Sequence, residues 1–591
     1  MASRGEPRRE QAAVLQPFAW LREGEGETLQ GAGAFPLLHH FEDTTDYLDF
    51  LKQTGRNEAE AIKPLEHQYL LQSRSRLFEG LNFDRLRRCQ LDIETASSVE
   101  GGFSNPRLKE DRVLAIGLRI HGENRYLVLE ERTDAAERSL LKQLNDALTE
   151  LDPDVIEGHN IFKFDLDYLK QRCRRFKVPC AWGRFGQPAS FRNSRLRIAE
   201  RWVDFPRCDL PGRTVFDTYL MIQVYDVTTR DLVSYTLKDV ARYLGITRDE
   251  DARTYLAGSE IGKVFDQDRG AFLSYLGDDL RETAGIAALL LPTYVAQIRN
   301  FPMTLQEACL RGTGSKVDLL FLERYYHARQ SLTEPPQVSS FAGAFTKSFV
   351  TGVYHHVLHY DVASLYPSLL LHIGRNPQGD TLGMFIPLLK ELRQERLRYK
   401  TMAKEAESDE LRREYQARQA SFKILINSFY GYLGFAGARF ADSELAGEVT
   451  RRGRELLMQL IDAFQREGCT VLEADTDGIY VSSEKDYADP EGLLAQVAAD
   501  LPEGIDLEHD GSYASMLCYK AKNYALYDGH HVSISGSALR SRGIEPYLKK
   551  LTDCLIYSLL GAREDTPVAL LETYRKSITA GEIPIDQLAK R

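Results

Sequence analysis

The chain has 591 residues, 43% of them hydrophobic and 27% charged, and it is too long for one hydrophobic core, so we expect roughly three or four domains. The eight cysteines are scattered without a C-x-x-C pair, which argues against a zinc ribbon or a disulfide framework and suits a reducing cytoplasm. The net charge of −11 gives no indication of nucleic-acid binding. The chain has no apolar run of about 18 residues and no apolar signal core, so we expect that no segment spans a membrane.

Strands and helices alternate in the first half of the chain, after an N-terminal region of mixed pattern. We predict a strand in "RCQLDIETASS" and a strand, turn and helix in "DVIEGHNIFKFDLDYLKQRCRRF". Helical periodicity follows in "SYTLKDVARYLGI" and "AFLSYLGDDLRETAGIAALLLPTYVAQI". This alternation predicts an α/β domain from about 86 to 300, and the prolines and glycines of "TEPPQVSSFAGAF" indicate a linker after it.

The second half predicts another pattern. A strand runs into a turn and a helix in "VYHHVLHYDVASLYPSLLLH". Residues 388–430 form two long helices joined by the acidic turn "EAESDE", and a further helix covers 446–467. A β-hairpin follows in "EADTDGIYVS", and the last 45 or so residues are helical.

Two carboxylates lie inside the apolar hairpin. Asp475 and Asp477 are one residue apart, between Val471 and Val481. One interpretation is turn chemistry, because Asp and Gly are common turn residues. The other is a cation site, because side chains at i and i+2 of a strand share a face and hard divalent ions bind carboxylate oxygens.

A third carboxylate stands at the end of another apolar strand. In "HYDVASLYPS", Asp361 precedes a turn through Ser364, Leu365 and Tyr366, and the backbone N–H groups of such a turn can bind an anion.

Cations with helical spacing accompany these acids. Lys423 and Asn427 are four residues apart, as are Arg396 and Lys400 on the preceding helix. Two antiparallel helices could present all four side chains to one polyphosphate, although "RQERLRYK" offers several registers and a charge run is also typical of a solvated helix face. Three carboxylates and three cations are the parts that two-metal phosphoryl transfer requires.

The ordered segments "DVASLYPS", "KILINSFYG" and "ADTDG" resemble motifs A, B and C of the family B DNA polymerases. "FAGAF" is similar to the element between the exonuclease and polymerase modules, and Lys522-Asn523-Tyr524 is similar to the K-x-Y element near the primer. The chain looks most like the archaeal or polymerase II-like branch. For Asp475 and Asp477 the resemblance favours the metal interpretation over the turn interpretation.

The resemblance implies a role for each matched residue. Asp361 and Asp477 would be the main metal ligands and Asp475 a further one, for two Mg²⁺ or Mn²⁺ ions, with a dNTP as substrate. Lys423, Arg396 and Lys400 would hold the triphosphate beside the turn at Ser364 and Leu365. Tyr366 would be the steric gate against a ribose 2′-hydroxyl, although core packing is the common alternative for such an aromatic. The remaining implied contacts are Asn427 and Tyr430 at the nascent base pair and Lys522 and Tyr524 near the primer.

A second active site is implied upstream. Taken singly, each of its acids is more typical of a surface charge or a helix cap. Together they resemble the motifs D-x-E, N-x-x-x-F-D and Y-x-x-x-D of proofreading exonucleases, and these motifs match Asp92, Glu94, Asn160, Phe164, Asp165, Tyr275 and Asp279. The four acids would hold two metal ions and Tyr275 would orient a water molecule; the spacing of four residues from Tyr275 favours Asp279 over Asp278.

The implied fold is multidomain α/β and α+β: an RNase H-like exonuclease domain plus a right-hand polymerase core of palm, fingers and partial thumb. We expect an N-terminal domain (1–85), the exonuclease domain (86–300), the first part of the palm (301–386), the fingers (387–430), the second part of the palm (431–545) and a partial thumb (546–591). Compared with the family, the segment after "SLYPS" is short and the thumb resembles only a first part.

The implied function is DNA-templated DNA polymerase with 3′→5′ proofreading exonuclease, acting on primer–template DNA and on a single-stranded 3′ end. Fewer phosphate contacts from a short thumb predict weak processivity unless a processivity factor or a thumb partner supplies the grip. The alternatives are a nuclease, or a non-catalytic polymerase subunit, that uses the polymerase half as a DNA-binding scaffold. The expected location is cytoplasmic, at the nucleoid, with no membrane association.

Overall fold

The computed structural model describes residues 14–55, 57–99, 102–199, 201–229, 232, 234–248, 253–499, 501–540 and 544–589. The chain divides into two compact units: unit 1 extends to Leu332 and also contains Arg393–Ile424, and unit 2 contains Thr333–Leu392 and the chain from Leu425 onward. The first division falls where the predicted linker begins, and residues 333–345 form neither helix nor strand. Within the described ranges, no helix has both the length and the hydropathy that crossing a bilayer requires.

Unit 1 contains eleven strands among its described residues. They are β1 (Phe18–Leu21), β2 (Glu27–Thr28), β3 (Leu37–His40), β4 (Ala59–Glu60), β5 (Arg88–Thr95), β6 (Val113–Ile120), β7 (Glu123–Val128), β8 (Val155–Gly158), β9 (Ser190–Ile198), β10 (Arg201–Asp209) and β11 (Thr214–Asp217). Its helices are α1 (Thr44–Gln53), α2 (Leu65–Ser73), α3 (Asp134–Leu151), α4 (Asp165–Phe176), α5 (Thr218–Thr229), α6 (Leu237–Tyr243), α7 (Ile261–Gln267), α8 (Arg269–Ile298), α9 (Leu305–Leu310) and α10 (Thr313–His327).

The strands of unit 1 form two sheets and a separate hairpin of β9 and β10. The N-terminal sheet has the order β2-β3-β1-β4 and a small core around Phe41 and Tyr47; its short strands left no clear pattern in the sequence. The second sheet has the order β11-β8-β5-β6-β7, with β11, β8 and β5 parallel and β6 and β7 antiparallel. The α/β architecture predicted between residues 86 and 300 is therefore confirmed.

Helix α8 lies close against the second sheet because of a glycine. Asp268 caps the helix by accepting the Ala271 N–H, and 30 residues follow without a break. A Cβ on Gly117 of β6 would lie 2.8 Å from Leu280 and 3.0 Å from Leu276 of this helix. Gly117 pairs with Asp92 in the neighbouring strand, so the close approach brings α8 near the acids of β5.

Unit 2 contains seven strands among its described residues: β12 (Thr346–Ser348), β13 (Gly352–Val362), β14 (Thr470–Asp475), β15 (Gly478–Ser482), β16 (Leu507–Lys520), β17 (Asn523–Tyr527) and β18 (Val532–Ser535). The helices that remain are α11 (Leu365–Ile373), α12 (Phe385–Glu405), α13 (Asp409–Leu433), α14 (Ser443–Arg466), α15 (Pro490–Ala498), α16 (Pro546–Leu559), α17 (Pro567–Thr579) and α18 (Ile585–Leu588). Helices α12 and α13 have residues in both units.

All seven strands of unit 2 belong to one antiparallel sheet with the order β12-β14-β15-β13-β16-β17-β18. Its interior is formed by Val357, Leu472, Met516, Cys518 and Leu526, which are buried. Both the hairpin of β14 and β15 and the strand–turn–helix of β13 and α11 were predicted from their apolar patterns, and both are confirmed. The order of the strands was not predicted, because pairing between distant segments leaves no local pattern.

The two helices predicted over 388–430 are confirmed as α12 and α13, with slightly wider bounds. Aromatic contacts join them in each unit: the ring centroids of Tyr399 and Phe422 are 5.8 Å apart, and those of Phe385 and Phe429 are 4.9 Å apart. These aromatic pairs pack the apolar faces of the two helices against each other.

Candidate active sites

Three adjacent strands of unit 2 bring two of the predicted acids to one position. Asp361 of β13 and Asp475 of β14 both pair with Gly478, the first residue of the strand β15 between them. The Asp361 Oδ1 lies 3.6 Å from the place where a Cβ on Gly478 would be. Asp477 immediately precedes Gly478, and its carbonyl accepts the Val362 N–H at 2.9 Å. The backbone therefore gathers Asp361, Asp475 and Asp477 around the beginning of β15.

The sequence argument for the hairpin pair was wrong in its mechanism. The metal interpretation assumed that Asp475 and Asp477 share a face of one strand, but β14 ends at Asp475 and Thr476 has a left-handed φ of +63°. The Asp477 N–H donates to the Asp475 carbonyl at 2.7 Å, which closes a three-residue turn. The turn, rather than the alternation of a strand, sets the relation between the two carboxylates.

The electrostatics of the hairpin are those of a crowded acidic site. Burial raises the pKa of Asp477, and the neighbouring Asp475 raises it further. The Asp475 Oδ1 accepts the hydroxyls of Thr346 at 2.9 Å and Thr476 at 3.1 Å and forms an ion pair with Lys522 Nζ at 2.9 Å. Carboxylates that repel one another and hold a nearby cation are suited to bind hard divalent ions.

The predicted primer element adjoins this group. The Tyr524 hydroxyl lies 3.2 Å from that of Tyr480, whose ring stacks on His359 with centroids 4.1 Å apart. A Cβ on Gly478 would lie 2.8 Å from His359 Nε2, so this glycine permits the ring to approach the acids. His359 and Tyr480 were not among the predicted site residues.

The predicted steric gate lies beside the tyrosine that is predicted to face the base pair. Tyr366 of α11 and Tyr430 of α13 are both half-buried, with ring centroids 4.2 Å apart. Burial raises the pKa of Tyr366 to about 12, and Tyr430 and Asp477 act in the same direction. Ser364 precedes α11 with a φ of +50°, and the first N–H groups of a helix, here those of Leu365 and Tyr366, have no acceptor within it.

The predicted phosphate-binding cations lie on the helix pair. Lys423 and Asn427 are exposed on α13 at the predicted spacing, and Arg396 and Lys400 lie on α12, where Lys400 is exposed and Arg396 half-buried. The three cations belong to unit 1 and Asn427 belongs to unit 2. Their action on one polyphosphate therefore stays a prediction.

The "FAGAF" element is held by helix α14. The Ala342 carbonyl accepts the Thr450 hydroxyl at 2.8 Å, and the Gly343 carbonyl accepts Arg454 Nη1 at 2.6 Å. These bonds satisfy two carbonyls of a segment that is itself neither helix nor strand.

The predicted exonuclease acids form a tighter group in unit 1. Asp92, Glu94 and Asp279 each offer one oxygen, and these oxygens lie within 4.8 Å of one another. Asp92 and Glu94 lie on the same face of β5, and α8 supplies Asp279. The adjacent Asp278 is engaged elsewhere, since it accepts the Thr254 N–H and pairs with Arg281.

Asp165 joins the group from the first turn of α4. Its Oδ1 accepts the N–H of Ile93, the residue between the two acids of β5. Burial raises the pKa of Asp165 to about 8 and the pKa of Asp279 to about 6. Burial also raises the pKa of Asp92 and of Glu94, and their acidic neighbours add to the effect. Buried oxygen donors that disfavour one another's ionisation fit a site for Mg²⁺ or Mn²⁺.

Two cations flank this group, and sequence reasoning missed both. Arg253 donates to Asp279 and also holds Glu282 by two bonds of 2.7 and 2.9 Å. Lys238 Nζ lies 3.3 Å from the hydroxyl of Tyr275, the predicted water-orienting residue. No local sequence pattern indicates either cation. Lys238, for example, reaches this place only because α6 packs against α8.

Two family models match the chain. The model of DNA polymerase family B, exonuclease domain, covers residues 65–240, and the model of DNA polymerase family B covers residues 378–553. A solved structure of the family B DNA polymerase from the archaeon Pyrobaculum calidifontis has the same fold, with a TM-score of 0.65 and 23% identity over 85% of this chain and 67% of that chain.

Curated relatives agree with the family models. A DNA polymerase of Archaeoglobus fulgidus is 24% identical over 94% of this chain and 74% of its own length. A DNA polymerase of Thermococcus sp. is 27% identical over 67% of this chain, which spans 53% of that relative. The catalytic subunit of rice DNA polymerase alpha is 28% identical over 74% of this chain and 32% of its own length. The chain belongs to DNA polymerase family B.

Proposed function

We propose that the protein is a DNA-templated DNA polymerase that extends a primer 3′ end with dNTPs and removes mispaired ends with a 3′→5′ exonuclease. The observation that carries the proposal is the arrangement around Gly478, where Asp361 and Asp475 are paired from both sides and Asp477 is adjacent in sequence. A scaffold that only bound DNA would need no such group of acids, so the nuclease and the non-catalytic subunit are not favoured.

Each acidic group would hold two divalent ions. In the polymerase site the ligands would be Asp361, Asp475 and Asp477, and in the exonuclease site they would be Asp92, Glu94, Asp165 and Asp279. When bound, Mg²⁺ or Mn²⁺ would supply Lewis-acid chemistry, lowering the pKa of the attacking hydroxyl or water and stabilising the leaving oxygen.

The chain's own residues would bind and orient the nucleotide. Lys423, Arg396 and Lys400 would neutralise the triphosphate, and the N–H groups of Leu365 and Tyr366 at the start of α11 would donate to its oxygens. The Tyr366 ring, packed against Tyr430, would occupy the space of a ribose 2′-hydroxyl. Beside them, Asn427 and Tyr430 would face the base pair, and Lys522 and Tyr524 would contact the primer.

In the exonuclease site, protein groups would place the water and the single-stranded 3′ end. The Tyr275 hydroxyl, held near Lys238, would orient the attacking water, and Arg253 would fix the carboxylate of Asp279. The positive charge of Lys238 acts on Glu94 and Asp279 and would offset part of the negative charge of the acids as the phosphate enters.

The resemblance to family B also supports proposals about domain boundaries, metal number, processivity and location. We propose the domain boundaries given above, two metal ions in each site, a processivity that a separate processivity factor raises, and a location at the nucleoid in the cytoplasm. The boundaries can be tested by limited proteolysis, and the processivity by extension with a trap DNA that captures the enzyme after its first dissociation.

A primer-extension assay tests the function. With primer–template, Mg²⁺ and dNTPs the primer should lengthen, and without dNTPs it should shorten from its 3′ end. Asp361→Ala and Asp477→Ala should lose extension by at least about a thousandfold and keep exonuclease activity, because one bound metal typically contributes several kcal/mol. The double variant Asp92→Ala, Glu94→Ala should lose exonuclease activity and keep extension.

The matched controls are exposed acids of the same units. Asp462→Asn on α14 and Asp146→Asn on α3 should leave both activities unchanged. Absence of extension by the Asp92→Ala, Glu94→Ala double variant, despite intact duplex binding, would contradict the proposed polymerase activity and support a nuclease.

A further inference from the structure

A buried acid lies two residues before the hairpin pair, outside the set of metal ligands. Glu473 is fully buried in β14, and because i and i+2 of a strand share a face, it lies on the same side as Asp475. The pairing of β14 with β15 shifts register between Val471 and Glu473, and such a bulge re-aims the side chain that follows it.

One oxygen of this carboxylate holds a specific backbone group. Glu473 Oε1 accepts the Lys522 N–H at 2.5 Å, across the sheet from β14 to the turn between β16 and β17. Among the described residues, no group donates a hydrogen bond to Glu473 Oε2, although that oxygen is buried. Burying an unpaired polar atom costs about 1–3 kcal/mol, so the contact with Lys522 is made at the expense of stability.

The turn that Glu473 holds is conformationally demanding. Lys522 has a φ of +62°, in the left-handed region that non-glycine residues adopt at a cost of roughly 1–2 kcal/mol. A Cβ on Gly536 would lie 2.2 Å from the Lys522 carbonyl oxygen, so the backbone just after β18 also approaches this turn closely. An unusual backbone conformation fixed from two sides indicates that the orientation of the Lys522 side chain matters.

The same strand also holds the other end of Lys522. Its ammonium pairs with Asp475 Oδ1 at 2.9 Å, while Glu473 holds its backbone N–H. Lys522 is thus fixed by residues i and i+2 of β14, and Tyr524 follows it in β17. These two contacts join the turn at Lys522 to the acidic hairpin.

We propose that Glu473 is a positioning residue for the primer terminus: it fixes the turn at Ala521 and Lys522 so that Lys522 and Tyr524 meet the primer in register with the acids of the hairpin. This inference rests on the proposed polymerase function. The property that matters is the length of the Glu473 side chain. The Lys522 N–H needs an acceptor oxygen at this distance from β14, whether or not the acceptor is charged.

Two substitutions of Glu473 separate the effect of side-chain length from the effect of charge. Glu473→Gln keeps the acceptor oxygen in place without the charge. Glu473→Asp keeps the charge but withdraws the carboxylate by about 1.5 Å, which lengthens the contact to about 4 Å, beyond hydrogen-bond distance. Positioning predicts that Glu473→Asp raises the KM for primer–template about tenfold or more, with kcat and the KM for dNTP within about threefold of the parent, and that Glu473→Gln stays within threefold in all three.

The control is a carboxylate that supports a neighbouring turn of the same sheet. Asp528 accepts the N–H groups of His530 and His531 at 2.8 and 2.7 Å, between β17 and β18. Asp528→Ala should leave the KM for primer–template unchanged. The melting temperature and the exonuclease rate on a single-stranded oligonucleotide show for each variant whether the protein is folded.

The outcomes are distinct. A parent protein that does not extend primers contradicts the proposed function itself. If the parent extends and Glu473→Asp behaves like it, or if Glu473→Gln raises the KM for primer–template while Glu473→Asp does not, the positioning inference is overturned. A fall in kcat without a change in the KM for primer–template in either variant also overturns it.

Discussion

The buried ion pair beside the proposed exonuclease acids gives the most quantitative prediction. Glu282 is fully buried and receives two bonds from Arg253, of 2.7 and 2.9 Å, and one of 2.7 Å from the Thr247 hydroxyl. We consider Arg253→Met, which keeps much of the side-chain volume and removes the charge. The substitution leaves a carboxylate in the interior without its cation.

The expected loss follows from that uncompensated charge. Removing one partner of a buried pair costs about 3–5 kcal/mol. At about 2 cal/mol/K of unfolding entropy per residue, a unit of this size should lose about 4–7 °C in Tm. Adding Glu282→Gln removes the isolated charge, and the double variant should recover at least about 2 kcal/mol of the loss.

The assay is thermal unfolding at pH 7.5 in EDTA, which excludes effects of bound metal. The control is Arg132→Met, because Arg132 pairs with Asp266 at the surface, where such a pair contributes about 1 kcal/mol or less. The reasoning is refuted if Arg253→Met lowers Tm no more than this control. It is also refuted if the double variant loses as much as the two single losses added together.

Three further predictions concern other parts of the molecule. Burial lowers the pKa of His67 from 6.5 to about 4, so between these pH values the unfolded chain binds a proton that the folded protein excludes. This group should therefore lower the free energy of unfolding by about 1.4 kcal/mol as the pH drops to 5.5. His67→Gln should flatten that part of the curve of Tm against pH. Lys423→Ala should raise the KM for dNTP about 10–100-fold in primer extension, the effect of losing one charge-assisted bond, and an unchanged KM would remove it from the triphosphate site. Gly478→Ala should lower the rate of primer extension at least about tenfold while exonuclease activity stays constant. The new Cβ would lie 2.8 Å from His359 Nε2 and displace the ring beside Asp361. Extension at the parental rate would mean that this close packing does not matter.

Some of the site could be foreseen from local spacing. The interval of two between Asp92 and Glu94 and of four between Tyr275 and Asp279 placed each pair on one face of its own element, as β5 and α8 show. Side-chain direction repeats with the backbone geometry of a strand or helix, so such relations are present in the sequence itself. Glu473 could have been found by the same rule, since it stands two residues before Asp475 in a predicted strand.

The sequence by itself determined the strands and helices that carry the motifs, because apolar periodicity and turn residues act within a few residues of chain. The order of the motifs further indicated the family. Only the tertiary structure decided that β15 lies between β13 and β14, which brings Asp361 beside the hairpin acids, and that Arg253 and Lys238 approach the proposed exonuclease group. The physical reason is that strand pairing and helix packing join distant segments through hydrogen bonds and close contacts, and these leave no trace in the spacing of neighbouring residues.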